Sequence, residues 1–533
     1  MYVWTFVSVF VASFILYRLF GGSKIRRNGQ SLSRCSDQSY DADQRYRCPP
    51  NTLPLVGNGL VFLQARHKLF SWFIKCERQF GFETFQISVP SLPPGVVIND
   101  PKNLEYVFKN EGIFAKGDFV KSRSWDLFGA LCSIFRYIHF WHCFLTEAEG
   151  NGIINADGNL WKVQRKAGLA FLNNSNMKVL TDTTLPKYLN EIIAKLGEAC
   201  SDSRDVDLEA EFHELTTKLM GRMAYDMDMH SRDEFSLAFE YASGATGERF
   251  QNPLWPVTEM IFGARFRSSI TKVKAFGAEI VANAVKSRRE KNKLENDSLD
   301  CISGSLINSL LDSIDDHNTV ADAALNYLSA GRDTTAQALT WAFYLLMRHP
   351  AEAERVRQEV RHVNDTFGSD EKITSTAFHP SAVPYVMSVF YETLRLYPPI
   401  PFEIKQCEQA ATLPDGTYLP KNAVLVWCPW AMNRSKLTWG DDADQFRPER
   451  WIEKGGLISK PAFEFPVFNG GPRTCLGKKM AESVVAQVIS KLVLHFDFAP
   501  LDQKERISKN SLTLPMEGGL PCRVQRSPGV TAV

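Results

Sequence analysis

The chain has 533 residues, of which 44% are hydrophobic and 12% aromatic, which is ample for a large buried core. Its formal net charge of +1 gives no reason to expect a nucleic-acid partner. The eleven cysteines are an odd number and include no Cys-x-x-Cys pair. This pattern argues against a disulfide framework or a structural zinc site and is typical of a reducing compartment.

The chain begins with an apolar run, MYVWTFVSVFVASFILYRLF, which carries no charge before Arg18. About twenty such residues are needed for a helix to cross a bilayer. Four basic residues between Lys24 and Arg34 follow before any acidic residue, and this positive flank places the bulk of the chain in the cytosol. A cleaved signal peptide is the alternative, but no charge precedes the run. The sequence predicts a transmembrane anchor at 1–22, a polar linker at 23–47 and a globular domain at 48–533.

Beyond the linker, most apolar residues recur at helical spacing. His67 to Phe80 predicts a helix, and Phe85–Ile87 and Val96–Ile98 predict short strands flanked by prolines. Further helices are predicted at 176–200, 207–227, 268–291, 319–348, 351–366, 384–396 and 475–496. The fold class predicted is therefore mostly α with small β-sheets.

The most specific pattern is the stretch FNGGPRTCLG, which runs from Phe468 to Gly477. Its Cys475 precedes an apolar helix pattern, where free backbone N–H groups and the positive end of the helix dipole stabilise a thiolate. Arg473 adds a positive charge, and Gly477 lets a flat cofactor approach the helix. A buried thiolate of this kind is an axial ligand for haem iron. The alternative, an ordinary core cysteine, does not account for the residues around it.

Asp333 and Thr334 interrupt the helix pattern of 319–348 within the stretch AGRDTT. Both are poor residues for a helix interior, and an N-cap or a polar patch is the plain interpretation. An acid beside an alcohol can also pass protons by acid–base relay, which makes the pair a candidate catalytic group.

Two further patterns are unspecific when taken alone. Glu392 and Arg395 lie three residues apart on one helix face, a spacing that usually indicates a surface ion pair of little energetic value. Trp161 and Arg165, in WKVQR, taken alone favour an exposed amphipathic turn. Each of these two patterns is informative only in combination with the other motifs.

Together these patterns resemble, in order and over residues 48 to 525, the signatures of the cytochrome P-450 family of haem-thiolate monooxygenases. The resemblance implies the cytochrome P-450 fold and a haem b cofactor with Cys475 as its axial, metal-binding thiolate. It implies that Asp333 and Thr334 lie over the haem and help to protonate bound dioxygen. The implied structural residues are Glu392, Arg395 and Arg450, the last in a Pro-Glu-Arg segment.

The resemblance also implies a set of haem contacts. Trp161, Arg165 and Arg473 are expected to reach the propionates, because buried carboxylates need cationic partners. Phe468 and Gly477 complete the loop at the haem. Lys405 stands where many relatives carry arginine, so it could still pair with a propionate but without a bidentate fork.

Finer likeness concerns the substrate. The stretches 152–161, 330–341 and 439–446 look like the branch of fungal alkane and fatty-acid terminal hydroxylases and plant fatty-acid hydroxylases. This likeness implies that a long apolar chain is hydroxylated at or near its end. It further implies electrons from NADPH through a cytochrome P-450 reductase, with cytochrome b5 as an additional partner, at the endoplasmic reticulum membrane.

Other functions stay open at this point. The same motifs fit a fungal enzyme that tailors a polyketide-type or other secondary metabolite. A haem-thiolate protein that isomerises or dehydrates oxygenated lipids is a second alternative, although such relatives tend to lose the threonine found here at Thr334. A haemless membrane scaffold would have no reason to keep Cys475, Arg473 and Glu392 in register.

Residues 130–149, ALCSIFRYIHFWHCFLTEAE, form an atypical apolar insertion relative to that family. They interrupt a loop that normally lines the substrate pocket. One hypothesis is a short intron retained in the gene; the other is a membrane-contacting extension of the channel for the substrate, since exposed apolar patches usually have partners.

Overall fold

The computed structural model describes residues 26–27, 30–31, 48–54, 56–89, 92–128, 151–291, 305–367 and 377–527. The predicted anchor at 1–22 and the predicted insertion at 130–149 lie outside these ranges. Within them, no helix is both long enough and apolar enough to cross a membrane.

Helices form most of the described chain. The first nine are α1 (Gly59–Phe62), α2 (Arg66–Phe80), α3 (Pro101–Lys109), α4 (Gly117–Phe128), α5 (Gly158–Phe171), α6 (Asn174–Val179), α7 (Leu185–Ser201), α8 (Leu208–Met220) and α9 (Glu234–Gln251). They are followed by α10 (Trp255–Phe262), α11 (Ala264–Lys291), α12 (Leu306–Leu311), α13 (His317–Arg348), α14 (Pro350–Phe367), α15 (Pro384–Leu396), α16 (Pro429–Met432), α17 (Lys436–Trp439) and α18 (Lys478–His495). Single π-helical turns follow α6, at Leu180–Thr184, and α8, at Gly221–Tyr225.

The strands are short and build small sheets. In chain order they are β1 (Arg26–Arg27), β2 (Gln30–Ser31), β3 (Phe85–Ile87), β4 (Gly95–Val97), β5 (Phe114–Ala115), β6 (Asp205–Asp207), β7 (Glu403–Cys407), β8 (Ala411–Thr412), β9 (Thr417–Leu419), β10 (Val424–Trp427), β11 (Ile452–Glu453), β12 (Gly456–Leu457), β13 (Phe496–Pro500) and β14 (Pro521–Arg526). The described sheets have the orders β2-β1-β9-β8, β3-β4-β10-β7-β5, β11-β12 and β13-β14-β6. In the largest, β4 and β10 are parallel and the other neighbours are antiparallel.

The central element of the core is α13. Its N-terminus is capped by the Asp316 carboxylate, which accepts hydrogen bonds from the backbone N–H groups of Asn318 and Thr319. It ends at Arg348, just before Pro350, which starts the next helix. Helices α8, α11 and α15 pack against it. Because neighbours surround it, nearly every side chain from Val320 to Leu346 is buried.

Most predicted elements have counterparts in the structure. The helix predicted at 384–396 has the same bounds as α15, and the one predicted at 475–496 begins three residues later, so Cys475 precedes it. The sequence does not predict α9, because this helix is only weakly amphipathic and contains a run of small residues, ASGATG. Within the predicted linker, β1 pairs with β9, so part of that stretch joins a sheet.

One cysteine differs from the expectation of a chain without disulfides. Cys48 is disulfide-bonded, whereas the other described cysteines are free thiols, at positions 76, 200, 407, 428, 475 and 522.

Candidate functional site

The cysteine loop runs from Pro466 to Gly477 and delivers Cys475 to the N-terminal end of α18. Two short 3-10 turns, Pro466–Phe468 and Gly471–Arg473, shape the loop, and the Cys475 N–H donates to the Phe468 carbonyl at 2.8 Å. Gly471 has φ of +62°, and a side chain there would collide with the Phe108 carbonyl. A side chain at Gly477 would meet nothing closer than the Cys475 sulfur, 4.0 Å away. The loop is therefore tight at one end and open beside the thiol.

The Cys475 side chain has accessible surface, although protein atoms surround it on most sides. Burial raises the pKa of its thiol, and the backbone N–H groups of Gly477 and Lys478 and the charge of Arg165 act in the opposite direction. The backbone N–H groups expected from the sequence are present, but burial outweighs them. A positive charge bound at the sulfur would remove this cost, because a coordinated thiol loses its proton.

Two arginine side chains lie close to this loop. The Arg165 guanidinium donates to the Thr474 carbonyl at 3.0 Å and lies 5.5 Å from the centre of the Trp161 ring. Arg473 lies 4.7 Å from the same ring. The structure thus brings Trp161, Arg165 and Arg473 together near Cys475.

An alternating chain of ion pairs crosses this region in the order Lys405, Glu111, Arg473, Asp157, Lys121. Arg473 contacts Asp157 at 2.6 Å, and Asp157 contacts Lys121 at 2.9 Å. These partners hold the pKa of Asp157 below its usual value although burial acts to raise it. Lys405, expected at a propionate, is 1% exposed and has its ammonium on Glu111.

The two members of the acid–alcohol pair point in different directions. Between Val320 and Leu346, the only described residues of α13 that are not buried are Ala330, Gly331 and Thr334. These three residues form an accessible face on a helix whose neighbouring positions are buried. The Thr334 hydroxyl donates to the Ala330 carbonyl at 2.7 Å, on this accessible face.

Asp333, by contrast, is buried and paired with Arg332 at 2.7 Å. Its carboxylate is 4.0 Å from Nδ1 of His213 on α8, and burial lowers the pKa of that imidazole. A side chain at Gly331 would meet the Met220 sulfur, so this glycine lets α8 pack closely against α13. Sequence reasoning missed His213, since nothing local connects it to Asp333.

The predicted structural triad is assembled completely and lies where α15 meets residues 433–451, which precede the cysteine loop. The Glu392 carboxylate accepts hydrogen bonds from Arg395 at 2.8 Å and from Arg450 at 2.9 Å, and it has no exposed surface. The Arg395 guanidinium also donates to the carbonyls of Asn433, Ala443 and Gln445. The Trp451 indole N–H donates to Glu392 at 2.9 Å, a contact that its place next to Arg450 could have suggested.

Comparison with known proteins decides the family. The profile of the family described as Cytochrome P450 matches residues 134–522, more than half of the chain. The chain belongs to the cytochrome P450 family. It is similar to cytochrome P450 94A1 of Vicia sativa, with 26% identity over 90% of each chain. It is also similar to cytochrome P450 86B1 of Arabidopsis thaliana, at 28% identity over 82% of this chain and 78% of the relative. Cytochrome P450 monooxygenase cyp1 of Mycosarcoma maydis is 29% identical over 88% of this chain and 73% of its own length.

This cytochrome P450 is a monooxygenase, and members of its family bind haem b through a cysteine thiolate. The residues around Cys475 suit that cofactor. The ion-pair chain from Lys405 to Lys121 holds three cations and two carboxylates, and Arg165 has no carboxylate partner among the described residues. Because the Glu408 carboxylate also interacts with Lys121 and Asp157, the cation left without a carboxylate is Arg165, and a propionate of haem b would supply one. Nη1 of Arg473 and the indole nitrogen of Trp161 are likewise without hydrogen-bond partners among those residues.

Proposed function

We propose that this cytochrome P450 is a membrane-bound enzyme that hydroxylates a long apolar chain, such as a fatty acid or an alkane, at or near its end. Electrons would come from NADPH through a cytochrome P450 reductase. The observation that carries the proposal is the accessible Cys475 thiol together with the accessible face of Ala330, Gly331 and Thr334 inside an otherwise buried helix. The sequence likeness to the hydroxylase branch supports the choice of substrate.

Cys475, Trp161, Arg165 and Arg473 would hold the haem, which supplies dioxygen activation when bound. The protein's own part is to hold the substrate near the cofactor and to deliver protons. The Thr334 hydroxyl gives its hydrogen to the Ala330 carbonyl, and its oxygen is free to accept a hydrogen bond from water on the accessible face. We assign Thr334 to positioning that water and Asp333 to supplying the proton.

Asp333 cannot perform this role in the arrangement observed without help, because its carboxylate is paired with Arg332 and turned toward α8. A proton must therefore travel through water between the two side chains, or the ion pair with Arg332 must open. In either case Thr334→Ala is expected to keep NADPH consumption while lowering the fraction of electrons recovered in product. Equal coupling in the variant and the wild type would contradict the assignment.

The membrane part of the proposal rests on an exposed apolar patch on and beside α10. None of the residues of α10 is buried, and Met260, Ile261 and Phe262 are 57%, 61% and 77% exposed. Leu60 and Leu63, both more than half exposed, precede Gln64, whose carbonyl accepts a hydrogen bond from the Gln251 amide at the end of α9, four residues before α10 begins. The leucines follow shortly after the predicted anchor and linker. The anchor and the patch would then meet the same bilayer.

Fluorescence quenching tests this orientation in the full-length protein. Phe262→Trp, reconstituted in vesicles that contain brominated lipids, is expected to be quenched. Leu437→Trp is the matched control, since Leu437 is 64% exposed but lies near Gly81, at the opposite end of α2 from Gln64. Equal quenching at the two positions, or none at Phe262→Trp, would contradict the proposed orientation.

Product identification tests the reaction itself. Haem-loaded protein with reductase and NADPH would receive a long-chain fatty acid, and mass spectrometry would locate the new hydroxyl group. We expect a terminal or near-terminal product that is lost in Cys475→Ala. No product from protein that binds haem and accepts electrons would count against a fatty-acid substrate and favour a dedicated biosynthetic one.

A further inference from the structure

Glu111, which belongs to none of the motifs, joins two side chains that were expected at the haem. It follows α3 in the turn before β5, and its side chain is 20% exposed. One carboxylate oxygen contacts the Lys405 ammonium and the other contacts Nε of Arg473. A single side chain thus links strand β7 to the cysteine loop.

Lys405 is fully engaged by this contact. It lies in the middle of β7 opposite Leu425 of β10, with 1% of its surface exposed. Its ammonium donates to Glu111 and, at 3.0 Å, to the Phe114 carbonyl. A buried ammonium that has lost its water needs a charged partner, and Glu111 is the carboxylate that supplies it.

The same contact fixes the orientation of Arg473. Its Nε is held by Glu111, and its Nη2 is held by Asp157 at 2.6 Å and by the Ala156 carbonyl at 3.1 Å. A planar guanidinium held at two of its three nitrogens can present only one free edge. That edge is Nη1, which has no partner within the described part of the chain.

We propose that Glu111 is a positioning residue for haem binding, which turns the free edge of Arg473 toward a propionate, and that Lys405 acts through Glu111 rather than on the haem. The proposal rests on the haem site of the proposed function. It also accounts for lysine at a position where many relatives carry arginine. A lysine satisfied by Glu111 has no need of the bidentate fork through which arginine would hold a propionate.

The test is the rate at which ferric full-length protein gives up haem to excess apomyoglobin, followed in the Soret band. Glu111→Gln is expected to release haem about tenfold faster, which corresponds to the loss of one charge-assisted hydrogen bond. The matched control is Glu403→Gln, on the same strand as Lys405. Glu403 is similarly exposed, at 17%, and pairs with Lys116 at 3.2 Å, but it does not contact Arg473. The haem-release rate of this control is expected to stay within about twofold of the wild-type rate.

A double variant separates positioning from stability. Glu111→Gln leaves the Lys405 ammonium buried without its partner, so the thermal midpoint should fall. Adding Lys405→Met removes that ammonium and should restore the midpoint, while haem release stays fast because Arg473 is still unfixed. A purely structural role for Glu111 would instead restore both quantities together.

Two results would overturn the proposal while leaving the haem site intact. One is release of haem from Glu111→Gln at the wild-type rate. The other is an acceleration by Lys405→Met that is as large in the Glu111→Gln background as in the wild type, as a direct contact between Lys405 and the haem would require. Failure of the wild-type protein to take up haem would overturn the proposed function as well.

Discussion

Two carboxylates, Glu392 and Glu111, each bridge cations from distant parts of the chain, yet they differ in what they leave unpaired. Glu392 has no exposed surface and accepts five hydrogen bonds, from two arginine side chains, the Trp451 indole and the Arg447 backbone N–H. Glu111 is one-fifth exposed, and the arginine it holds keeps one nitrogen free.

The difference separates a network that holds the fold from one that awaits a ligand. The arginine, indole and backbone donors that contact Glu392 are all satisfied by the protein, so none of them is left for a bound molecule to engage. In the cluster around Glu111 and Asp157, Arg473 keeps one nitrogen free, and the neighbouring Arg165 has no carboxylate partner among the described residues, next to an accessible thiol. Substitutions at the first network should therefore change stability, and substitutions at the second should change ligand retention.

The largest effect is expected from Glu392→Gln. The change leaves Arg395 buried with no counter-charge and Arg450 with only Asp442, 3.4 Å away, and breaking a buried pair in this way costs about 3–5 kcal/mol. Thermal unfolding of the full-length protein should show a large drop in midpoint, with little haem retained after purification. Glu453→Gln, on β11, has no ion pair among the described contacts and is the control. If the free energy of unfolding of Glu392→Gln were within about 1 kcal/mol of the wild-type value, the contrast with Glu111 would not hold.

A smaller effect is expected at Glu209, a buried carboxylate that lacks the partners Glu392 has. It accepts a hydrogen bond from the Met516 N–H at 2.8 Å, and burial raises its pKa to about 7. Since the unfolded chain releases this proton near pH 4.5, the folded state holds more protons between about pH 4.5 and 7. Stability should therefore fall as pH rises through that window.

Glu209→Gln keeps an acceptor for Met516 and removes the titration. It should be more stable than wild type at pH 8, by on the order of 2 kcal/mol, and equal to it near pH 4.5. Thermal midpoints at the two pH values measure this, with the exposed Asp205→Asn as a control. A wild-type midpoint that falls no more steeply than that of Glu209→Gln would show that Glu209 does not titrate as described.

The sequence predicted the Glu392 network better than the Glu111 cluster for a physical reason. Glu392 and Arg395 are three residues apart on one helix, and Arg450 lies in a short recognisable segment. Glu111 lies 294 positions from Lys405 and 362 from Arg473, and nothing near it in the chain suggests either partner. The orientation of the Asp333 side chain could not be predicted from the sequence either, because it depends on how α8 packs against α13. Local patterns therefore located the thiol and the helices, while long-range ion pairs needed coordinates.

A still smaller effect separates two tryptophans near Glu392. Trp451→Phe keeps the packing of the ring but removes the N–H donated to Glu392, a loss of about 1 kcal/mol. Trp439 is the matched control, because its buried indole nitrogen has no hydrogen-bond partner among the residues that the structure describes. Trp439→Phe should be neutral or slightly stabilising. Thermal unfolding of both variants measures the difference, and equal losses would show that the Trp451 hydrogen bond carries no weight.

The smallest change in stability is expected from deleting residues 130–149. The residues that flank this segment are already hydrogen-bonded to each other, since the Gly152 N–H donates to the Phe128 carbonyl at 3.0 Å. Asn326 of α13 also spans the gap, with its amide N–H₂ on the Phe128 carbonyl and its oxygen accepting from the Ile154 N–H. Like Glu392, this junction is satisfied without further partners.

Removal of these twenty residues leaves three between Phe128 and Gly152. The hydrogen bond between those two residues then has the spacing of an ordinary α-helical turn, so the shortened chain can close without distorting α4. We expect an unchanged thermal midpoint and a higher haem content in the deletion variant, as the retained-intron hypothesis requires. Haem content that is unchanged or lower would count against that hypothesis and favour a functional extension of the substrate channel.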